Sequence, residues 1–180
     1  MSIAAFTFGR LNPPTIGHEK LINKLRKVAR LSRGQPLLFL SHSQDSKKNP
    51  LDYNTKFKYS KLSFGNIVQR SNSNTIIKVM QELEKKYDKV ILVAGSDRVK
   101  EFDTLLQKYN GKEYNFDSIK VMSAGQRDPD ADGVEGMSAS KMRELAKDEE
   151  LAEFTKGLPL KAQRQAKNIM NSVRKGMNYD

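Results

Sequence analysis

From Gly9 to Leu21 the chain reads GRLNPPTIGHEKL, a run whose residue types and spacing suit phosphate. Gly9 lets the backbone turn and approach a ligand with no side chain in the way. Pro13 and Pro14 stiffen the loop and remove two amide donors, so the donors that remain point in set directions. Gly17 and His18 fall in the first turn of an expected helix, where amides without helical partners and the positive dipole end attract anions. Thr15 brings a hydroxyl, and His18 an imidazole able to donate to a non-bridging phosphate oxygen. A proline-stiffened cap with an incidental histidine would explain each residue singly but not the cluster. The chemistry expected here is the holding of a polyphosphate.

The elements that must position this run alternate between strand-like and helix-like segments. Residues 3–8 form a short apolar run ending at Gly9 and read as a buried strand. From Gly17 to about Arg33, Leu21, Ile22, Leu25, Val28 and Ala29 recur at helical spacing, and Gly34 is expected to stop that helix. Residues 36–41 read as a second strand and 43–54 as a polar loop, followed by helices over 54–63 and 73–87. Residues 89–97 are the clearest strand, ending in a glycine-containing loop, with a helix carrying Val99, Phe102, Leu105 and Leu106 after it. Residues 118–123 read as a strand, 124–136 as a loop, and Ser138 or Ser140 as the start of a helix through Lys147. A last helix is expected over roughly 160–175. This alternation predicts an α/β fold with a mainly parallel sheet. Ligands of such sheets bind beyond the carboxyl ends of the strands, where the strand order reverses.

The bulk numbers are consistent with one ordinary core. The chain has 180 residues, 37% of them hydrophobic, and no cysteine, which excludes disulfides and thiolate metal sites. The N-terminus lacks the charged and apolar regions of a signal peptide, and no apolar run suits a membrane span. A cytoplasmic protein without a membrane partner is expected. The formal charge is +11, unevenly spread: residues 1–100 hold 19 Lys and Arg against 7 Asp and Glu, whereas residues 101–180 hold 13 against 14. The surplus lies in the half carrying the opening run, where it would draw in nucleotides or nucleic acid, or simply keep helix faces solvated.

GRLNPPTIGH resembles the Gly-x-(Phe/Leu)-x-Pro-x-(His/Thr)-x-Gly-His signature of the nucleotidyltransferase superfamily, with Thr15 in place of the first histidine of many members. MSASKMR, Met137–Arg143, is similar to the family's second signature, a Ser-Ser/Gly-Thr/Ser-x-x-Arg run at a late helix N-terminus, with Ala139 departing from it. Alone, that run would read as a capping serine with surface cations; paired with the first, in this order, it reads as functional. The resemblance implies a Rossmann-like three-layer nucleotidyltransferase fold, with a nucleotidyltransferase domain over 1–155 and a C-terminal helical extension over 156–180. It also implies catalytic roles for His18, Thr15 and Arg143. Nucleotide binding is carried over to Phe8, Gly9, Arg10, Asn12, Pro14, Gly17, Gly95, Asp97, Ser138 and Ser140. Asp97 suits either the hydroxyls of a ribose or a plain helix cap, and both stay open. SHSQDSKKNPL, residues 41–51, resembles the segment after the second strand of archaeal-type nicotinamide mononucleotide adenylyltransferases, which assigns acceptor binding to Ser43, Gln44 and Asn49. His42, in the same segment, reads as a loop residue rather than a catalyst. As a whole chain the sequence resembles nucleotidyltransferase-like proteins of tailed phages, many of which carry the same Arg127–Asp130 loop; a phage origin would place it in the host cytoplasm.

The activity implied is transfer of a nucleoside monophosphate, favoured as AMP from ATP, to a phosphorylated small-molecule acceptor, favoured as nicotinamide mononucleotide giving NAD. Pyrophosphate leaves, and Mg²⁺ is held mainly through the nucleotide phosphates. No protein metal ligands are assigned. Rival readings are a cytidylyltransferase using CTP, and a non-catalytic nucleic-acid- or virion-associated protein that kept the fold. The second is supported by the charge surplus and by Lys161, Arg164, Lys167, Arg174 and Lys175 near the C-terminus, but no aromatic residues interleave with those cations. Self-association through the last helix stays open.

Overall fold

The computed structural model describes residues 2–125 and 137–179. The Arg127–Asp130 loop lies outside the described residues. The strands are β1 (Ile3–Gly9), β2 (Gln35–Leu40), β3 (Val68–Gln69), β4 (Lys89–Ala94) and β5 (Ser118–Ser123). The helices are α1 (Ile16–Ser32), α2 (Tyr53–Phe64), α3 (Ile76–Glu84), α4 (Val99–Tyr109), α5 (Ala139–Lys147), α6 (Leu151–Gly157) and α7 (Ala166–Gly176). The sheet runs β3-β2-β1-β4-β5. β1 pairs in parallel with β2 and with β4, and β4 in parallel with β5. The chain is therefore an α/β protein with helices flanking a parallel sheet, as its alternating pattern predicts. The order reverses about β1, which has β2 on one side and β4 on the other.

β1, β2 and β4 read as largely apolar runs because both of their faces are covered. Along β4, all five residues from Val90 to Ala94 are buried. One core gathers Ala4, Phe6, Leu37 and Phe39 from the sheet with Val79, Met80 and Leu83 of α3 and Leu106 of α4. Full burial of each larger side chain contributes about 1.5–3 kcal/mol, which is what holds α3 and α4 against the strands. A second cluster joins Leu51 and Tyr59 to Met142, Ala146, Phe154, Leu158, Ile169, Met170 and Val173. The chain accordingly forms two compact units. One contains β1, Lys20–Ser41 and the chain from Gln69 through β5; the other contains Arg10–Glu19, His42–Val68 and the described chain from Met137 on.

Several boundaries differ from the sequence expectations, each for a local reason. The first helix stops because Arg33 takes φ +60° and the Gly34 amide turns back to Ala29 O at 2.8 Å. α3 starts at Ile76, three residues later than expected, because the Thr75 hydroxyl caps the Lys78 amide while Ser71 and Ser73 donate to Glu82 instead of entering a helix. The last helix begins only at Ala166, since Leu160–Gln165 forms a 3-10 turn after Pro159. α6 and the two-residue strand β3 are too short to leave a periodic signal. The expected second strand and the helix opened by Ser138 stand within a residue of their predicted limits.

Candidate active site

The opening run leaves β1 at Gly9 and belongs, from Arg10 to Glu19, to the second compact unit. Its first turn of helix is closed by a reciprocal pair. The Gly17 amide donates to Thr15 Oγ1 at 3.1 Å, and the Thr15 amide donates to His18 Nδ1 at 2.9 Å. This is the logic of a capping box with a histidine in the place of the usual glutamate. It corrects one expectation: the Gly17 amide is taken by the Thr15 hydroxyl and the His18 amide by Thr15 O at 3.0 Å, so neither points at a ligand. It also sets the imidazole. With Nδ1 accepting from a backbone amide, the proton sits on Nε2, the nitrogen that can donate away from the helix. Thr15 is 1% exposed, so its hydroxyl builds the turn that aims His18.

Gly17 is required by a close approach. A Cβ there would lie 2.9 Å from Met137 O, so the start of α1 meets the segment leading into α5 at backbone distance. Asn12 is fully buried and pairs with Leu51 on both sides of its amide. Its Nδ2 donates to Leu51 O at 3.1 Å, and its Oδ1 accepts from Leu51 N at 2.8 Å. Asn12 is thus a clamp between the opening loop and the segment before α2. The peptide from Asn12 to Pro13 is cis. Pro14, in the same loop, is buried.

α5 brings in the second signature. Ser138 caps this helix by accepting from the Lys141 amide at 3.1 Å, while Ser140 stands exposed in its first turn. Arg143 reaches back, its Nη1 donating to Asn12 O at 3.0 Å. Burial and then Arg10 lower the Arg143 pKa, against a favourable contribution from Asp45. The residue that sequence reasoning missed is Lys56. It lies on α2, is 0% exposed, and has its pKa lowered to about 8 by burial and then by Arg10. A lysine on the buried stripe of α2, one turn before Tyr59 and Ser60, was the available signal. The charge of Arg10 thus bears on both Lys56 and Arg143, whose charged forms burial already disfavours. An anion beside them would favour the charged forms of Lys56 and Arg143.

The segment assigned to the acceptor has its own architecture. Asp45 Oδ1 accepts the amides of Lys47 and Lys48 at 2.9 and 2.7 Å, and Asn49 Nδ2 donates to Asp45 Oδ2 at 2.8 Å. Asn49 is therefore tied into its own loop and 4% exposed, whereas Ser43 and Gln44 are exposed. His42 stacks on Tyr53, ring centroids 3.9 Å apart and 8° from parallel. Phe8, Gly9, Gly95 and Asp97 belong to the other unit. There Asp97 lies in a 3-10 turn, Ser96–Arg98, and the following helix has Arg98 at its cap position with no side-chain hydrogen bond. The plain capping role for Asp97 is not realised. Among the described residues no group of three His, Cys, Asp or Glu side chains is placed to hold a metal. Among the same residues no helix is long and apolar enough to cross a membrane.

No protein-family model and no curated protein matches the sequence. Solved structures do match in fold. The chain aligns with Plasmodium falciparum nicotinic acid mononucleotide adenylyltransferase complexed with NaAD at TM-score 0.61 and 12% identity, over 100% of this chain and 99% of the other. Against the same enzyme complexed with APC the TM-score is 0.56 at 12% identity, over 95% and 98%. Thermotoga maritima TmcAL bound with alpha-thio ATP aligns at TM-score 0.54 and 10% identity, over 95% of this chain and 56% of that one. By its parallel sheet, flanking helices and this likeness, the chain has the Rossmann-like α/β fold of nucleotidyltransferases, with helices at its C-terminal end.

Proposed function

We propose that the protein is a nucleotidyltransferase that moves AMP from ATP to a phosphorylated acceptor, with a pyridine mononucleotide such as nicotinamide mononucleotide favoured. The observation that carries this reading is the cation cluster of Arg10, Lys56 and Arg143 around a loop that also aims the His18 Nε2 proton. Such a set suits a polyphosphate, and the fold's solved neighbours are complexed with NaAD and with ATP-like molecules. In this reading the acceptor phosphate attacks the α-phosphorus of ATP in line. The bond to the bridging oxygen breaks, and pyrophosphate leaves with its electron pair. The acceptor is already ionised, so no general base is required; catalysis is positioning plus stabilisation of charge.

His18 Nε2 donates to an α-phosphate oxygen as charge builds there, and Thr15 keeps the imidazole in the tautomer this needs. Half-buried Arg143 and exposed Arg10 neutralise the phosphate chain, and the charge of fully buried Lys56 acts on it from behind. Ser140 adds a hydroxyl at the start of α5. Among the described residues the donor set is cationic and the Asp45 carboxylate is engaged by its own loop, so none of them is assigned to magnesium. Mg²⁺ would arrive on the nucleotide, held by phosphate oxygens and water, where it shields the phosphates' charge.

The test is pyrophosphate release from ATP with and without nicotinamide mononucleotide, following NAD by mass spectrometry. Product that needs both substrates supports the reading, and His18→Ala should lower turnover far more than ATP affinity. Equal loss in both would remove His18 from the transition state. Turnover with CTP or a different phosphorylated acceptor would keep the chemistry and change the substrate. Silence with every pair would leave a binding protein.

A further inference from the structure

α1 divides into two sharply different faces. Ile22, Leu25, Val28 and Ala29 are buried. At 100° per residue they occupy about a third of the helix circumference. The opposite arc carries Lys20, Lys24, Arg26, Lys27, Arg30 and, just past the helix end, Arg33, and all but the half-exposed Lys24 are exposed. Asn23 and Leu31 are the other exposed residues of that arc. The only acid on the helix is Glu19 in the first turn, and it accepts the Leu160 amide at 2.8 Å. No acidic residue follows it before Asp45.

We infer that this face of α1 docks the sugar–phosphate backbone of a nucleic-acid duplex, without reading its sequence. Thirteen residues of helical rise from Lys20 to Arg33 span about 20 Å. That length covers about six base pairs at 3.4 Å each, so the cations can track consecutive phosphates. Three features decide the partner's chemistry. The face has no aromatic side chain, so it offers nothing for splayed bases to stack on, which disfavours a single strand. The apolar side of α1 is already spent in the protein core, so the helix cannot insert into an anionic membrane as an interfacial helix does. Small anions do not need a row of charges of this length. Of the cations near the C-terminus, Arg174 is turned inward, its Nη1 donating to the carbonyls of Ala146 and Lys147 at 2.9 and 2.6 Å. None of the α1 cations belongs to the proposed active site, so this inference stands apart from the proposed activity.

The test uses the full-length protein and a fluorescein-labelled mixed-sequence DNA duplex of 24 base pairs, read by polarisation across a salt series. The comparison is the variant K24Q/K27Q/R30Q/R33Q, with K27Q/R30Q as a milder form for use if the first fails to fold. Wild type should bind at 50 mM salt with log K falling steeply against log salt. Each lost phosphate contact lowers that slope by about 0.9, so the fourfold variant should lose about 3 to 4 and the twofold variant about 2. A second duplex of unrelated sequence should bind equally. An unchanged slope in the variants, or no wild-type binding at 50 mM salt, overturns the inference. Tight binding to phosphatidylserine vesicles with none to the duplex overturns it in favour of a membrane surface.

Discussion

Lys56 offers the sharpest test of the electrostatic reasoning. Its pKa is lowered from 10.5 to about 8, first by burial and then by Arg10. Because the folded value lies below the unfolded one, the sign is unfavourable: below about pH 8 the amine is charged in both states, and the folded protein bears the full cost. Between 8 and 10.5 the folded state sheds its proton while the unfolded state keeps it, and stability rises with pH. At about 1.4 kcal/mol per unit, the cost at pH 7 is about 3 kcal/mol. Lys56→Met keeps the length of the stem and removes the charge. It should therefore stabilise the unliganded protein at pH 7 by up to about 3 kcal/mol, or about 6–12 °C in Tm for a chain of this size. The gain should fade by pH 10.5, where wild-type Lys56 is neutral in the fold. Thermal melts of both proteins at pH 7, 8.5 and 10 give the comparison. A variant that is less stable at pH 7, or equally stabilised at pH 7 and 10, would refute the argument. The same lysine should take up a proton when ATP binds near pH 8.5, seen as a binding enthalpy that depends on the buffer's ionisation enthalpy. The variant should lose that dependence and most of its pyrophosphate release.

Three further outcomes follow from the same unit. Asn12→Ala leaves both the amide and the carbonyl of buried Leu51 without their partners, and urea unfolding should show a loss of about 2–5 kcal/mol. Gly176→Ala would drive a Cβ into the Pro50 carbonyl, which joins the end of α7 to the segment before α2. Overpacking of this kind should cost about 1–3 kcal/mol or more, whereas the exposed Lys175→Ala should be near neutral in the same assay. Asp45 is held well below the usual carboxylate range, chiefly by the Asn49 side-chain amide and then the Lys48 amide. A lowered pKa means its loop is supported at all pH values above the ordinary one and weakens only as pH falls through the lowered value. Carboxyl NMR should find Asp45 still ionised at about pH 3, and Asn49→Ala should move its titration upward.

The fold was largely legible because parallel strands buried on both faces are rich in apolar residues, and β1, β2 and β4 show such runs. The helix face of α1 was equally plain, since Ile22, Leu25, Val28 and Ala29 recur at the period of a helix packed on one side. Types and spacing also marked the stretch around Thr15 and His18 and the serine that opens α5. These are short-range facts, set by backbone geometry within a turn or two.

What the sequence could not reveal is how each polar group is spent. Thr15 read as a phosphate ligand, but its hydroxyl closes the helix and its amide orients His18. Asn12 read as a nucleotide contact, and it clamps Leu51 thirty-nine positions away. Lys56 was passed over as a site residue because its one local signal, its place one turn before Tyr59 on the helix, is weak beside the exposed Lys58 and Lys61 that follow it. Only tertiary packing brings Arg10 close enough to depress the charge of both Lys56 and Arg143. The sequence by itself determined which segments are strands and helices, because those follow from local periodicity. Tertiary structure alone decided which cations converge, because burial and Coulomb interaction depend on distance in space and not along the chain.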